Sequence, residues 1–295
     1  MLACGKILSM RREEDLNGNL GIRMYHVLAR YPMLADAEEM AYETKDGRVR
    51  VVVRHPIREV QSYKAFMYCL WRAKYVEEME REVVLYVDKW EVFGLLGKDV
   101  LSLEEIARIL RPARDVEYEV WMYEGDKHKK MQTFRVFYRL EGYEGSDGKY
   151  IKAVIDKAFY EFCIESDLFL YLGFLHELRS PYAVNLWTFF TAHSQGKFTE
   201  EVLFERAGIP RDIETYRKRY LLQRALDYLV NVDYLKAWER QEDTILLHRK
   251  PPQDLRILAL EKTKKAYEKI ARIRENHLQK ERERKRKARA KKHTT

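Results

Sequence analysis

The sequence has few cysteines, and their positions do not suggest a site. Cys4, Cys69 and Cys163 lie far apart along 295 residues, which excludes a disulfide framework and a paired-cysteine zinc motif. No apolar run approaches the roughly 18 residues that a membrane-spanning helix needs, and Met1–Met10 is too short and too mixed for a secretory signal. We therefore expect a cytoplasmic protein, with Cys69 and Cys163 buried in the apolar runs that contain them.

The usual signatures of catalysis are also missing. The sequence contains no Gly-x-x-x-x-Gly-Lys-Ser/Thr loop for phosphates and no His-Glu-x-x-His motif. Its eight histidines do not form a His-x-His pair of the kind that holds a metal in rolling-circle nicking enzymes. Tyrosine is abundant, with 20 residues, but without a metal site the sequence does not indicate an activated tyrosine nucleophile. We expect no enzymatic activity, no cofactor and no metal.

Positive charge is concentrated at the end of the chain. Glu261–Thr295 carries 15 Lys and Arg against 5 Glu, while the net charge of the whole chain is +8. The first 260 residues are therefore close to neutral, at about −2. A basic extension on a neutral body is typical of proteins that bind polyanions, because neutralising phosphates releases counterions. The alternative is a solvated helix that only aids solubility.

The first half of the chain mixes strands and helices. Asp46-Gly47 between two β-rich runs is a hairpin signal, Ser102 and Glu105 have the spacing of a capping box, and Pro112 is expected to end the helix that they begin. The predicted elements are a hairpin within Tyr42–Arg54, a helix over Val60–Glu82, a strand over Val83–Val87, a helix from Asp88 to Leu96, a helix over Ser102–Leu110, and strands over Val116–Tyr123 and Gln132–Leu140.

The second half has the element order of a winged helix. Three helices are followed by a hairpin, so that the third helix can lie in a DNA major groove, which is about 12 Å wide. The predicted elements are a linking helix over Lys157–Glu177, a helix over Pro181–His193 capped by Ser180, an extended Lys197-Phe198, a helix from Thr199 to Gly208, a helix over Asp212–Val230, and strands over Val232–Trp238 and Thr244–Lys250.

The third of these helices has two sides at 3.6 residues per turn. One side is apolar and should face the core; it consists of Leu222, Ala225, Leu226 and Leu229. The other side is predicted to bind DNA. Arg217 and Arg224 are expected to contact guanine edges, and Arg211 and Lys218 to contact phosphates. The full set of predicted DNA-binding residues is Arg211, Thr215, Tyr216, Arg217, Lys218, Tyr220 and Arg224, with Arg249 and Lys250 at the end of the hairpin as further phosphate contacts.

The same region resembles the plasmid replication initiators that bind iterons, the Rep family. The matching stretches are Leu178–Trp187 (LRSPYAVNLW), Phe198–Ile209 (FTEEVLFERAGI) and Tyr216–Leu229 (YRKRYLLQRALDYL). Three positions depart from the family pattern. Trp187 replaces the usual Tyr, Tyr220 stands where a basic residue is frequent, and Val230 replaces a usual Asn.

The resemblance implies two tandem winged-helix domains that bind directly repeated sites at a replication origin. It also implies recruitment of the host helicase and homodimers formed through the N-terminal domain. We therefore predict an α+β fold with an N-terminal extension (1–55), a first winged-helix-like domain (56–150), a second winged-helix domain (151–255) and a basic helical tail (256–295). A winged-helix transcriptional regulator and a tail-driven RNA-binding or architectural protein remain the alternatives.

Overall fold

The computed structural model describes residues 21–23, 26–44, 46–97, 102–124, 127–145, 148–166 and 168–292. Helices and strands are mixed along the chain, which confirms the α+β class. The strands are β1 (Gly21–Arg23), β2 (Glu39–Glu43), β3 (Val49–Arg54), β4 (Ala73–Glu78), β5 (Glu82–Asp88), β6 (Glu117–Glu124), β7 (Lys127–Arg135), β8 (Phe137–Gly145), β9 (Gly148–Asp156), β10 (Phe169–Tyr171), β11 (Lys197–Thr199), β12 (Leu235–Gln241) and β13 (Thr244–Arg249). The helices are α1 (His26–Arg30), α2 (Val60–Arg72), α3 (Lys89–Leu95), α4 (Leu103–Asp115), α5 (Lys157–Glu165), α6 (Pro181–Ala192), α7 (Glu200–Ala207), α8 (Thr215–Asn231) and α9 (Pro252–Lys292).

One four-stranded sheet has the antiparallel order β2-β3-β6-β7. The hairpin of β2 and β3 is the predicted one: Gly47 has a φ of +65° in its turn, a conformation that glycine adopts without a Cβ penalty. Val51 and Val53 on β3 are fully buried. β3 lies before residue 55 and β6 lies after it, and the two strands pair. Backbone hydrogen bonds therefore cross the boundary that was predicted at residue 55 between the N-terminal extension and the first domain.

A second sheet has the order β4-β5-β9-β8, and the chain reaches it abruptly. The prediction of one strand over Gln132–Leu140 is wrong, because β7 ends in the first sheet at Arg135 and β8 begins in the second at Phe137. Val136 and Phe137 are both fully buried. Two buried neighbours break the alternation of a strand with one core-facing side, and this break marks the crossing.

Two predicted helices end early because the following residues pair in sheets. The helix expected over Val60–Glu82 stops at Arg72, since β4 pairs with β5. The helix expected over Lys157–Glu177 stops at Glu165, since β10 pairs with β1. Tertiary pairing outweighs helical propensity here, as it often does.

Pro112 does not end α4, which continues to Asp115. Proline inside a helix removes one backbone hydrogen bond and crowds the preceding turn. Ile106 and Leu110 are buried before Pro112, and Ala113 is buried after it. The apolar side of the helix therefore continues past the proline, and its burial offsets the lost bond.

Helix caps follow the sequence closely. The Asp88 carboxylate accepts from the Trp90 N–H at 2.8 Å, and Ser102 and Glu105 form the predicted reciprocal capping box. Thr199 accepts from the Val202 N–H at 3.4 Å. Ser180 differs, because its side chain makes no capping hydrogen bond and α6 instead begins with a proline at its first position.

The second half runs α6, β11, α7, α8, β12 and β13, and its three strands pair in the order β11-β13-β12. The helix predicted over Asp212–Val230 begins three residues later, at Thr215. Its predicted core side is confirmed, since the buried residues of α8 are Leu222, Ala225, Leu226 and Leu229.

One hydrophobic cluster extends through both halves of the described chain. Trp71 and Trp187 are the largest of its fully buried side chains. Cys69 and Cys163 are buried, as predicted, while Cys4 lies outside the described residues. The two halves therefore share a core.

α9 begins as a docked helix. At Gly173 an added Cβ would lie 2.2 Å from the backbone oxygen of Ala259, and at Gly94 it would lie 2.6 Å from two side-chain carbons of Ile270. Farther along, the centre of the His277 ring lies 4.7 Å from that of Trp90, with the two rings tilted by 52°. The predicted basic tail is helical, but its first half packs on the body.

The contact at Gly94 gives a test of this docking. At an exposed helix position, Gly→Ala is expected to stabilise by roughly 1 kcal/mol. Because the new methyl group of Gly94→Ala would overlap Ile270, we expect a destabilisation of about 1–3 kcal/mol instead. Urea unfolding followed by circular dichroism measures this change.

The control is a double-mutant cycle with Ile270→Ala, which removes the overlapping carbons. The double variant should be more stable than the sum of the two single effects predicts. Additive effects would show that α9 does not dock against Gly94.

Candidate nucleic-acid interface

Two tyrosines and two arginines lie on the solvent side of α8. Tyr216 is 71% exposed and Tyr220 is 55% exposed. Arg217 and Arg224 are also exposed, and the Arg224 guanidinium lies 5.7 Å from the centre of the Tyr220 ring. The spacing of four residues places Tyr216, Tyr220 and Arg224 in one row along the helix. We call Tyr216, Arg217, Tyr220 and Arg224 the α8 face.

Three more predicted residues lie at the start of α8. Thr215 is its first residue and is exposed, as is Arg211 in the preceding turn. The Arg211 guanidinium lies 3.6 Å from the Glu205 carboxylate and 3.5 Å from the Ala41 carbonyl. Lys218 donates from Nζ to the Arg211 carbonyl at 2.6 Å. The Lys218 ammonium therefore holds the turn against the helix, and Thr215 and Arg211 lie beside the α8 face.

A buried carboxylate connects α7, α8 and the hairpin. The Glu200 side chain is only 5% exposed, with one oxygen 2.8 Å from Arg219 Nε and the other 2.7 Å from Arg240 Nε. Arg219 also lies 3.2 Å from Asp243. The sequence does not reveal this arrangement, since Glu200 looks like an ordinary acidic residue in a first turn and its partners lie far along the chain. Arg219 is one of the basic residues of α8, but its charge is paired with the carboxylates of Glu200 and Asp243.

An arginine in an aromatic cage holds the N-terminal segment against α7. The Arg206 guanidinium lies 4.7 Å from the Tyr31 ring, 5.1 Å from the Tyr42 ring and 6.0 Å from the Phe189 ring. Burial raises the pKa of the Tyr42 hydroxyl well above its usual value, although Arg206 opposes the rise. Both tyrosines are neutral at physiological pH, so the cage holds the cation through its aromatic rings.

The two predicted residues at the end of the hairpin contact the fold itself. Arg249 donates from Nη1 to the Phe190 carbonyl at 2.8 Å, and its guanidinium lies 5.5 Å from the Phe190 ring. Burial lowers the pKa of Arg249. Lys250 forms an ion pair with Asp233 at 3.1 Å. These contacts do not join the α8 face, and phosphate binding by either residue stays a prediction.

Within the described ranges, His, Cys, Asp and Glu side chains do not assemble in groups of three or more that could hold a metal ion. In the same residues no helix combines the length and apolarity needed to cross a bilayer.

The chain matches no family model, and it matches no curated protein. Among solved structures it is similar to domains 2 and 3 of RctB in two crystal structures. In the selenomethionine structure the TM-score is 0.48 and the identity 13%, over 77% of this chain and 99% of the other. In the second structure the TM-score is 0.46 and the identity 14%, over 79% and 99%.

The Glu200 cluster predicts a specific loss of stability. Glu200→Gln removes the charge that pairs with Arg219 and Arg240, whose side chains are 41% and 34% exposed. Because water can partly solvate the two arginines, we expect a loss of about 1–3 kcal/mol rather than the larger cost of a fully buried unpaired charge. Chemical denaturation of the full chain measures the change.

Glu201→Gln is the matched control, since Glu201 is the exposed neighbour on the same helix turn. This variant should stay within about 0.5 kcal/mol of the original protein. Equal losses in the two variants would contradict the structural role of Glu200.

Proposed function

We propose that Pro181–Arg249 is a winged-helix module that binds double-stranded DNA. The support is the order of its elements: three helices, with a short strand between the first two, followed by the β12–β13 hairpin. In this fold the third helix enters the major groove and the hairpin lies beside it. α8 is the third helix, and its 17 residues span roughly 25 Å.

The observation that carries the proposal is the division of α8 into two sides. Its core side is completely buried, while the α8 face exposes two large aromatic rings and two cations. Arginine can donate two hydrogen bonds to guanine O6 and N7, and apolar ring atoms can contact thymine methyl groups. Such a surface combines charge for the backbone with groups that distinguish bases.

We further propose that the protein initiates plasmid replication by binding repeated sites at an origin. The support is the resemblance of Leu178–Trp187, Phe198–Ile209 and Tyr216–Leu229 to the iteron-binding initiators. In this role the protein is a cytoplasmic DNA-binding protein without catalytic residues of its own. The host helicase and a second copy of the chain are its proposed protein partners.

The first test is binding to DNA from upstream of its own gene, compared with a scrambled duplex at several salt concentrations. Arg217→Ala/Arg224→Ala should lose most of the preference for the specific duplex, because each bidentate contact to a base is worth about 1–3 kcal/mol. Affinity for the scrambled duplex should fall much less. Fluorescence anisotropy measures both affinities, and footprinting locates the sites.

Arg135→Ala/Arg139→Ala is the matched control. It also removes two exposed arginines, but these lie on β7 and β8 beside Glu117 and Glu141. Footprints that repeat about every two helical turns would support an initiator, whereas one palindromic footprint would support a transcriptional regulator. Equal affinity of the original protein for both duplexes would overturn sequence-specific binding by α8.

The end of α9 should add affinity without sequence preference. Residues 280–292 carry nine Lys and Arg against two Glu, and they follow His277, whose ring contacts that of Trp90. Truncation after Gln279 should weaken binding to both duplexes by about tenfold or more at low salt and reduce the salt dependence. The ratio of the two affinities should be kept. Loss of that ratio would show that the tail, and not α8, recognises the sequence.

A further inference from the structure

Arg224 packs against an aromatic ring on the α8 face. Its guanidinium lies over the Tyr220 ring, 5.7 Å from the ring centre, and both side chains are exposed. The two residues are four positions apart, so they are neighbours on successive turns of α8. A cation this close to an aromatic ring is attracted by the negative charge on the face of the ring. The Tyr220 ring therefore favours one arrangement of a side chain that would otherwise sample many rotamers.

The one acidic residue of α8, Asp227, lies beside Arg224 but binds a different partner. It is exposed and three positions after Arg224, a spacing at which arginine and aspartate can form an ion pair on a helix. Its Oδ1 instead accepts from the Trp238 indole N–H at 2.8 Å. Within the part of the chain that the structure describes, Arg224 forms no ion pair. The hydrogen bond to Trp238 therefore directs the carboxylate away from the guanidinium.

Trp238 is itself fixed by the hairpin. It lies on β12 opposite Leu247 of β13, it is half-buried, and it packs against the hydrophobic core. The indole N–H can only donate a hydrogen bond, so a carboxylate is a suitable partner for it. Trp238 therefore presents a fixed donor to the side of α8 that carries Asp227.

We propose that Tyr220 and Trp238 are positioning residues for Arg224, which they hold ready to bind the edge of a guanine. Tyr220 orients the guanidinium through its ring, and Trp238 keeps the Asp227 carboxylate from neutralising it. A guanidinium that is already oriented loses less side-chain entropy when it donates its two hydrogen bonds. This inference deepens the proposed function and rests on it, because the guanine belongs to the DNA that α8 binds.

The first experiment tests the contact between Tyr220 and Arg224 in the full chain without DNA. An aromatic ring shifts the proton resonances of a group above its face upfield, and NMR of the protein with isotope-labelled arginine detects this shift. It should be present in the original protein and in Tyr220→Phe, which keeps the ring, and absent in Tyr220→Leu. Tyr216→Leu removes another exposed ring of α8 and should leave the Arg224 resonance in place. An unchanged Arg224 resonance in Tyr220→Leu would overturn the role of Tyr220.

The second experiment uses the specific duplex and a set of duplexes that each carry one changed base pair. Arg224→Ala identifies the base pair that Arg224 reads, because the preference at that base pair disappears. Tyr220→Leu should weaken binding of the specific duplex by about two- to fivefold and reduce the preference at the same base pair. The double variant Tyr220→Leu/Arg224→Ala should bind about as well as Arg224→Ala alone.

The same duplexes separate positioning from direct contact. If Tyr220 contacts DNA by itself, Tyr220→Leu reduces the preference at a different base pair, and its effect adds to that of Arg224→Ala. That result would contradict the positioning role, whereas Tyr220→Phe should keep both the affinity and the preference.

The third experiment tests Trp238 by rescue. Trp238→Phe keeps an apolar ring in the hairpin but removes the N–H that holds Asp227. The released carboxylate can then pair with Arg224, so affinity for the specific duplex should fall by up to about fivefold. Asp227→Asn in the same chain removes the competing charge and should restore the affinity, which it would not do if the hairpin were damaged. No loss in Trp238→Phe, or a loss that Asp227→Asn does not restore, would overturn the role of Trp238.

Failure of the proposed function gives a different result. The original protein would then bind the specific and scrambled duplexes equally, and there would be no base preference for the positioning residues to support. The NMR experiment needs no DNA, so it still decides whether the Tyr220 ring holds Arg224.

Discussion

The position of α8 depends on one buried amide. The Asn185 side chain, only 3% exposed, donates both of its N–H bonds, to the Leu34 carbonyl at 2.7 Å and to the Ala207 carbonyl at 2.8 Å. Gly208 follows with a φ of +75°, and a Cβ there would lie 2.9 Å from both the Asn185 nitrogen and the Leu34 oxygen. Since buried amides are costly when unpaired, this arrangement fixes α6, the end of α7 and the N-terminal segment together, and with them the turn that leads into α8.

The other contacts that position α8 lie away from its solvent-exposed side. Glu200 connects α7 to α8 and the hairpin, and Arg206 joins α7 to the N-terminal segment through aromatic rings. Lys218 holds the turn before the helix. The exposed groups are thus presented on a helix that is already fixed, and a fixed surface loses less entropy on binding than a mobile one. A winged helix that reads DNA would benefit from this rigidity.

What could be predicted from the sequence is mostly local. The pairing of Ser102 with Glu105 is visible at a spacing of three residues, and the buried side of α8 is visible from its period. The bond from Asn185 to Leu34 joins residues 151 positions apart, and the pair of Glu200 and Arg240 joins two separate elements. No local pattern specifies such partners. The crossing at Val136 is not predictable for a related reason, because only the packing shows that the adjacent apolar residues Val136 and Phe137 are both buried and that β7 and β8 belong to different sheets.

The last helix shows how charge and packing give different information about one segment. The composition of α9 predicts a basic helix that attracts phosphates, and this prediction does not depend on where α9 packs in the fold. The tight contacts at Ala259 and Ile270, which are 11 residues or roughly 16 Å apart along the axis, fix both its position and its direction. The charged end continues from this docked part as the same helix. In the DNA complex that we propose, backbone contacts from this end would add affinity, while base contacts on α8 would supply the preference for a sequence.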